Sequence, residues 1–437
     1  QPVHGAGVFE KDQLPSLSNT DCDSRCLSWS GPWSASPRPV DRRHGGRAMT
    51  DSPPRALRIA PHVATFGVGW TLLTYSAVPG FVVARYDTTL TTVGLFMTAS
   101  LAMVVAAQAP AGKLVSSYST TTVLSGVLLC VAAVGAALDV APTLGVALAL
   151  RAAMGLTAGL ALSTGATHIA RLFTGRAAAR QQGIYGGMVT LGGAAGFLVA
   201  PTLVRVAGGV GLHAVGGLLG VAAATMLLAH RGESWTDGTA TGREGPPLAV
   251  LRNPVVVAGS VCYAATLGSY ITLSTFITAY FADLGVTGPL NAFVLVLATL
   301  GRGLGGVVST RLAISDERFT RLATAAAAGV FLAMLLPGRA VAVALPLVAM
   351  VAVSLPFGSV YNFSAAATEY DGSALAFVIA VGNGAAALLP AITGYVRTTT
   401  GGYRLAFVLI AALNIAAALS LVFVARRAGG RVAAPEG

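Results

Sequence analysis

Long apolar segments separated by short polar loops run along the chain from Ile59 to Val424. A helix that crosses a bilayer needs roughly 20 mostly apolar residues, and its backbone polar groups must be hydrogen-bonded within the segment. The pattern therefore predicts an all-α membrane protein. We predict twelve transmembrane helices, at residues 59–84, 90–114, 120–139, 143–171, 180–206, 210–229, 253–282, 288–311, 319–337, 340–365, 373–397 and 403–425.

Polar stretches divide the chain into regions. The longest interruption between apolar segments is at 230–252, where Gly, Pro, Thr and charged residues indicate a turn-rich cytoplasmic linker. It separates an N-terminal half at 49–229 from a C-terminal half at 253–425, which is followed by a tail at 426–437. Residues 1–48 are polar, contain no apolar run and precede the first methionine, so we expect a disordered or non-native extension there.

Composition agrees with a membrane protein, because only 10% of the residues are charged, against about 25% in soluble proteins. The net charge of +11 could indicate a nucleic-acid partner, but the basic residues lie in short loops and form no basic face. We expect no nucleic acid. With the N-terminal half starting inside, the inside segments hold about 15 Lys and Arg and the outside loops about five. This predicts a multi-pass protein of the plasma or inner cell membrane with both termini cytoplasmic.

Glycine-rich sequences recur at matching places in the two halves. Gln108 to Gly112 closes the second predicted helix as Arg302 to Gly306 closes the eighth, and the fifth and eleventh helices are both rich in Gly and Pro. Related halves of this kind place a substrate site between them near the membrane midplane. Small residues allow helices to pack closely. The positions that we assign to helix packing or gating are Gly112, Gly155, Gly159, Gly192, Gly193, Gly196, Pro201, Gly306, Gly382, Gly384 and Pro390.

Several segments resemble motifs of the major facilitator superfamily. Arg151 to Gly155 is similar to the family's fourth-helix motif, Gly192 to Pro201 to its fifth-helix motif, and Gly394 to Phe407 to the hinge before its last helix. The loop after Gly112 departs from the family, because it lacks the usual Asp, Arg and second Gly. The resemblance implies two pseudo-symmetric six-helix halves and secondary transport of a small-molecule substrate by alternating access. We expect a monomer in the lipid bilayer.

Two arginines, Arg151 and Arg302, lie well inside predicted helices. A buried cation in a membrane is costly unless it is paired or faces water, so both are candidate substrate-binding residues. The alternatives are that Arg151 pairs with backbone carbonyls and that Arg302 extends to the membrane interface. No Asp or Glu lies well inside a predicted helix. A cavity with Arg and no acid favours an anion, which a guanidinium binds through two parallel hydrogen bonds.

The stretch from Arg302 to Ser309 is similar to the eighth helix of nitrate/nitrite porters, which implies anion binding by Arg302. Gln108 stands where that group has a partner Arg, and Thr190 replaces the Asn of its fifth-helix signature. A larger monoanion or a carboxylate is therefore equally compatible. Further polar side chains could line the cavity or form interhelical hydrogen bonds. These are Tyr75, Tyr185, Tyr270, Tyr361, Asn362 and Asn383.

These observations predict a secondary active transporter that moves a small organic or inorganic anion. Efflux of hydrophobic compounds, of the drug/proton antiport type, is an alternative that the fourth-helix Arg motif also suits. A third possibility is a non-transporting receptor or sensor on the same scaffold. We expect neither an enzyme nor a cofactor. We also expect no metal site, since Cys22 and Cys26 have no second ligand pair, and the chain carries no phosphate-binding loop for ATP.

Overall fold

The computed structural model describes residues 53–173, 175–231 and 250–432, and within these ranges the chain is helical and contains no β-strand. The elements are α1 (Arg55–Leu73), a 3₁₀ turn (Thr74–Ala77), α2 (Pro79–Tyr86), α3 (Leu90–Ala106), α4 (Gln108–Ser117), α5 (Thr120–Asp139), α6 (Leu144–Leu172), α7 (Gly175–Ala207), α8 (Ala214–Leu228), α9 (Pro254–Asp283), α10 (Leu290–Leu312), α11 (Asp316–Ala333), α12 (Arg339–Ser354), α13 (Phe357–Ala366), α14 (Asp371–Thr400) and α15 (Arg404–Val432).

The predicted all-α membrane fold is confirmed by these helices. Among the described residues, eight helices are long and apolar enough to cross a membrane, or ten if two bent pairs each count as one span. The helix α8 has only 15 residues, and α11 carries Asp316 and Glu317 in its first turn. Neither meets the criterion of length and composition, so the number of twelve spans stays a prediction.

Parts of the predicted organisation lie outside the described residues. These parts are the extension at 1–48, the linker at 230–252 apart from its two ends, and the last five residues of the tail. At the C-terminal end the helix is longer than expected, because α15 continues to Val432 instead of ending at 425. The candidate membrane span at Arg404–Arg426 agrees with the predicted span at 403–425, and the boundary of the tail stays a prediction.

Two predicted helices are broken. The helices α1 and α2 meet at 71° across the 3₁₀ turn, and α3 and α4 meet at 41°. At the first break, Pro79 occupies the first turn of α2. An N–H at this position has no acceptor within the helix, so proline loses no hydrogen bond there. At the second, Pro110 cannot donate to the Ala106 carbonyl one turn earlier, which bends the helix.

Most of the predicted packing glycines lie where helices touch. A Cβ on Gly155 would collide with the Ser100 backbone of α3, and one on Gly192 would collide with the Phe66 carbonyl of α1. A close approach of this kind requires glycine. Similar collisions would occur at Gly159, Gly193, Gly196 and Gly382. No atom within 4 Å would meet a Cβ at Gly112, Gly306 or Gly384. Packing in this structure therefore does not require glycine at those three positions.

The two halves meet along α3 with α14 and along α7 with α10. At one end of the first seam, Thr91 donates a hydrogen bond to Thr398, with 3.1 Å between the hydroxyl oxygens. Nearby, the Pro390 carbonyl lies against Gly94. We call this end, where α3 begins and α14 ends, the closed face. At the opposite end, where α4 ends and α14 begins, Gln108 is exposed. We call that end the open face.

Candidate substrate site

Arg302 of α10 lies at the centre of an aromatic cluster in the C-terminal half. Its guanidinium carbon is 4.0 Å from the ring centroid of Phe357 and 4.6 Å from that of Tyr270. Its Nη1 donates to the Gly186 carbonyl of α7 at 3.4 Å, which links the two halves. Its Nε is buried and has no hydrogen-bond partner. No carboxylate of the described residues forms an ion pair with Arg302, so the cation keeps donor capacity for a ligand.

The aromatic cluster around Arg302 comes from α9 and α13. The rings of Tyr263 and Phe357 meet edge to face at 5.6 Å, and Tyr361 donates its hydroxyl to that of Tyr263 at 2.5 Å. The Tyr270 hydroxyl is buried without a partner. A buried polar group without a partner is rare in native structures. Two such groups occur here: Nε of the Arg302 cation and the hydroxyl of Tyr270, whose ring contacts that cation. They mark a place where a ligand would complete the hydrogen bonding.

Two further predicted site residues belong to this region. Tyr361 is part of the aromatic cluster, as described above. Thr190 is fully buried one turn from Gly186, and its hydroxyl oxygen lies 2.5 Å from that of Thr299. Thr299 in turn lies one turn before Arg302 on α10. The Thr190 hydroxyl also donates to the Gly187 carbonyl at 2.8 Å. Thr190 therefore joins the halves beside the Arg302 site, with its hydroxyl already paired in this conformation.

The other predicted polar residues make contacts of their own. Gln108 donates to the Val104 carbonyl at 3.1 Å and accepts from Ser163 at 2.9 Å. Asn383 donates to the Ile379 carbonyl one turn earlier on α14 at 3.0 Å. Asn362 is exposed on α13. A role for these three side chains in substrate binding stays a prediction, since the described hydrogen bonds of Gln108 and Asn383 are to other protein groups.

Arg151 of α6 is completely buried, and protein carbonyls take up its donors. Its Nη1 donates to Thr71 at 3.1 Å, Nη2 to Leu72 at 2.9 Å and Nε to Phe96 at 3.5 Å, while the guanidinium carbon lies 4.1 Å from the Tyr75 ring centroid. Carbonyls at the end of a helix lack intrahelical donors, and a cation there is favourable. Arg151 thus holds the break after α1 against α3 and α6, with no surface exposed to a substrate in this conformation.

Replacing Arg151 with Leu is expected to destabilise the protein. The change removes the guanidinium donors from the buried carbonyls of Thr71 and Leu72 at the end of α1, and each unpaired group costs about 1–3 kcal/mol. We expect a clear decrease in Tm, measured by tryptophan fluorescence of the purified protein in detergent. Replacing Arg311, which is exposed at the end of α10, provides the control and should leave the Tm unchanged. Equal Tm values for the two variants would show that the carbonyl contacts of Arg151 do not stabilise the fold.

Acidic side chains of the described spans lie at helix ends, as the sequence predicts. Asp139 ends α5, and its carboxylate accepts the backbone N–H groups of Gly211, His213 and Ala214 at 2.9 Å, which caps the start of α8. The His213 Nδ1 lies 2.7 Å from the same carboxylate. Asp283 ends α9 and pairs with Arg397 at 2.7 Å. Both carboxylates are therefore committed to structural contacts at the closed face.

Comparison with known proteins adds a family and a fold. A model described as Major Facilitator Superfamily matches residues 62–370. No curated protein matches the sequence. Two solved structures are similar, both of a bacterial homologue of the human lysosomal transporter Spinster. The inward-facing, occupied form has a TM-score of 0.66 at 15% identity, covering 85% of this chain and 96% of that one. The inward-facing, unoccupied form has a TM-score of 0.67 at 16% identity, covering 86% and 98%.

Proposed function

Because this chain belongs to the major facilitator superfamily, and is thus a multi-pass membrane transporter and not an enzyme, we propose that it is a secondary active transporter for a small organic or inorganic anion. The observation that carries the proposal is the environment of Arg302. Its cation is half-buried between two aromatic rings, no described carboxylate pairs with it, and its Nε has no hydrogen-bond partner. An anion bound there would supply both charge and acceptors.

The energetics of the site support an anion. A buried ion costs several kcal/mol unless it is paired. Each of the two cation–π contacts offsets about 0.5–2 kcal/mol of this cost, and the long hydrogen bond to Gly186 adds little. A bound anion would therefore stabilise the cation further. Carboxylates and other planar oxyanions match the fork of donors on a guanidinium. The ring of Tyr270 lies against the same cation, and its buried hydroxyl, which has no partner, is a further donor for such a ligand.

Transport assays with two kinds of substrate test this function. Full-length protein in proteoliposomes should accumulate a radiolabelled small anion, such as nitrate or a short carboxylate, above the level of empty liposomes. A parallel assay should follow efflux of a hydrophobic dye. Efflux is the second candidate function, because the environment of Arg302 is rich in aromatic rings, against which an aromatic compound would also pack. Dye efflux without anion uptake would favour it over anion transport.

We also propose that the open face is cytoplasmic and that the protein is a monomer in the plasma or inner membrane. Basic side chains support this orientation, because Lys113, Arg171 and Arg318 lie at helix ends on the open face. Fewer basic residues lie toward the closed face, and cytoplasmic loops carry the excess of Lys and Arg. With this orientation, the interior of the protein is accessible from the cytoplasm in the present conformation.

Cysteine labelling in intact cells tests the orientation. A variant in which the four native cysteines are replaced by Ser or Ala should receive a single new cysteine at Lys113 or at Arg339, both of which are exposed. We expect a membrane-impermeant maleimide to label the cysteine at 339 and to label the one at 113 only after the cells are permeabilised. Labelling at 113 but not at 339 in intact cells would reverse the proposed orientation.

A further inference from the structure

An apolar crevice of about 770 Å³ lies between α7 and α10, on the closed-face side of Arg302. This volume is typical of a site for a small molecule. The walls include Leu191, Ala195, Leu198, Leu290, Phe293 and Val296. On each helix these positions recur every three or four residues, so they form one apolar stripe per helix. None of the side chains that line the crevice is charged.

The crevice is exposed along the seam between α7 and α10. Leu198 is 60% exposed and Phe293 is 48% exposed, although both lie within candidate membrane spans. An exposed apolar side chain on a membrane span is suited to contact with the acyl chains of the bilayer. At the closed face, Val286, Thr287 and Pro289 of the loop before α10 complete the lining.

The crevice and the cation of Arg302 lie along one seam. Val296 is six residues before Arg302, which is about 9 Å along α10. Between them lies the pair Thr190–Thr299, with 2.5 Å between the hydroxyl oxygens, and beyond it the contact from Arg302 to Gly186. Along the seam, an apolar wall is thus followed by two hydroxyls and then by a cation. This order of apolar, polar and cationic groups complements a molecule with an alkyl tail and an anionic head.

We propose that the crevice receives the alkyl tail of a single-chain amphiphilic anion whose head group binds Arg302. The inference rests on the proposed function, because it takes Arg302 as the anion site, and it specifies the substrate class. The head group passes between lipid and interior when α7 and α10 separate at the Thr190–Thr299 pair, the polar contact that lies between the crevice and the cation. The tail stays in an apolar environment throughout, so its passage carries no large desolvation cost.

Binding of two carboxylates that differ in tail length tests this proposal. Radiolabelled dodecanoate and butanoate are measured by scintillation proximity on the full-length protein in lipid nanodiscs, with empty nanodiscs subtracted. Two substitutions fill the crevice, Ala195→Phe and Leu198→Trp; the exposure of Leu198 leaves room for the larger ring. We expect each substitution to weaken dodecanoate binding at least tenfold, which is about the contribution of two buried methylene groups to the affinity. Each should change butanoate binding less than twofold.

Two further variants complete the experiment. Ala222→Phe places the same bulk on an exposed position of α8 and should leave both ligands unaffected. Arg302→Gln should weaken both ligands. The inference is overturned if wild-type protein does not bind dodecanoate, if the crevice variants leave its binding unchanged, or if they weaken both ligands equally. If the crevice variants act as expected and Arg302→Gln has no effect, the tail site is supported, and both the head-group assignment and the anion function at Arg302 are overturned.

Discussion

Replacing Arg302 with Lys or Ala is expected to weaken the apparent affinity for a transported anion by about tenfold to a hundredfold, the equivalent of one charge-assisted pair of roughly 1.5–3 kcal/mol. Lys keeps the charge, but it loses the planar fork of donors and the flat cation that contacts the rings of Phe357 and Tyr270. The Lys variant should therefore also be impaired. The measurement is the concentration dependence of anion uptake into proteoliposomes.

The same variants should retain their fold. Arg302 makes one long hydrogen bond to protein, at 3.4 Å, so its removal leaves few groups unpaired, in contrast to Arg151. We expect the Tm of the Arg302 variants to stay close to that of the wild type. Arg311→Lys, on the same helix but exposed at its end, is the matched control and should transport normally. Unchanged affinity in both Arg302 variants would remove the main support for anion transport and favour efflux of a hydrophobic compound.

Hydropathy alone predicts most of the helices, because lipid requires long apolar segments and leaves few alternatives to a helix. The predicted bounds of α5 agree with the structure at both ends. The breaks after α1 and α3 were not predicted, since apolar character continues across them. Pro79 and Pro110 were the available signals. The number of twelve spans stays a prediction, because α8 is short and α11 begins with charged residues.

The candidate site is less accessible to sequence reasoning than the fold. Arg302 is identifiable because a cation in an apolar helix is conspicuous, but its partner Phe357 lies on a distant part of the chain. Tyr263 and Tyr270 do carry a signal, because a spacing of seven places them on one face of α9. The sequence left both roles open for Arg151 and Arg302, with pairing to backbone carbonyls as the alternative for Arg151, since both are isolated arginines. Only the packing shows that carbonyls surround the first and aromatic rings the second.

A disulfide across the closed face is expected to abolish transport. Thr91 and Thr398 lie on opposite halves with their hydroxyl oxygens 3.1 Å apart, so cysteines at these positions would hold their sulfur atoms close together. A disulfide keeps the two Cα atoms within about 7 Å. Alternating access requires α3 and α14 to separate at the closed face when the open face closes. The oxidised double variant should therefore be held in the present conformation, and a reductant should restore uptake.

The experiment requires a background in which the four native cysteines are replaced by Ser or Ala. Formation of the disulfide is verified by the loss of thiols that react with a maleimide-linked polymer. A pair within one half, Thr278→Cys with Asn291→Cys, is the control, because those side chains are hydrogen-bonded at 3.0 Å between α9 and α10. Its oxidation should leave uptake unchanged, since the halves can still move apart. Full uptake by the oxidised Thr91–Thr398 variant would mean that transport proceeds without opening of the closed face.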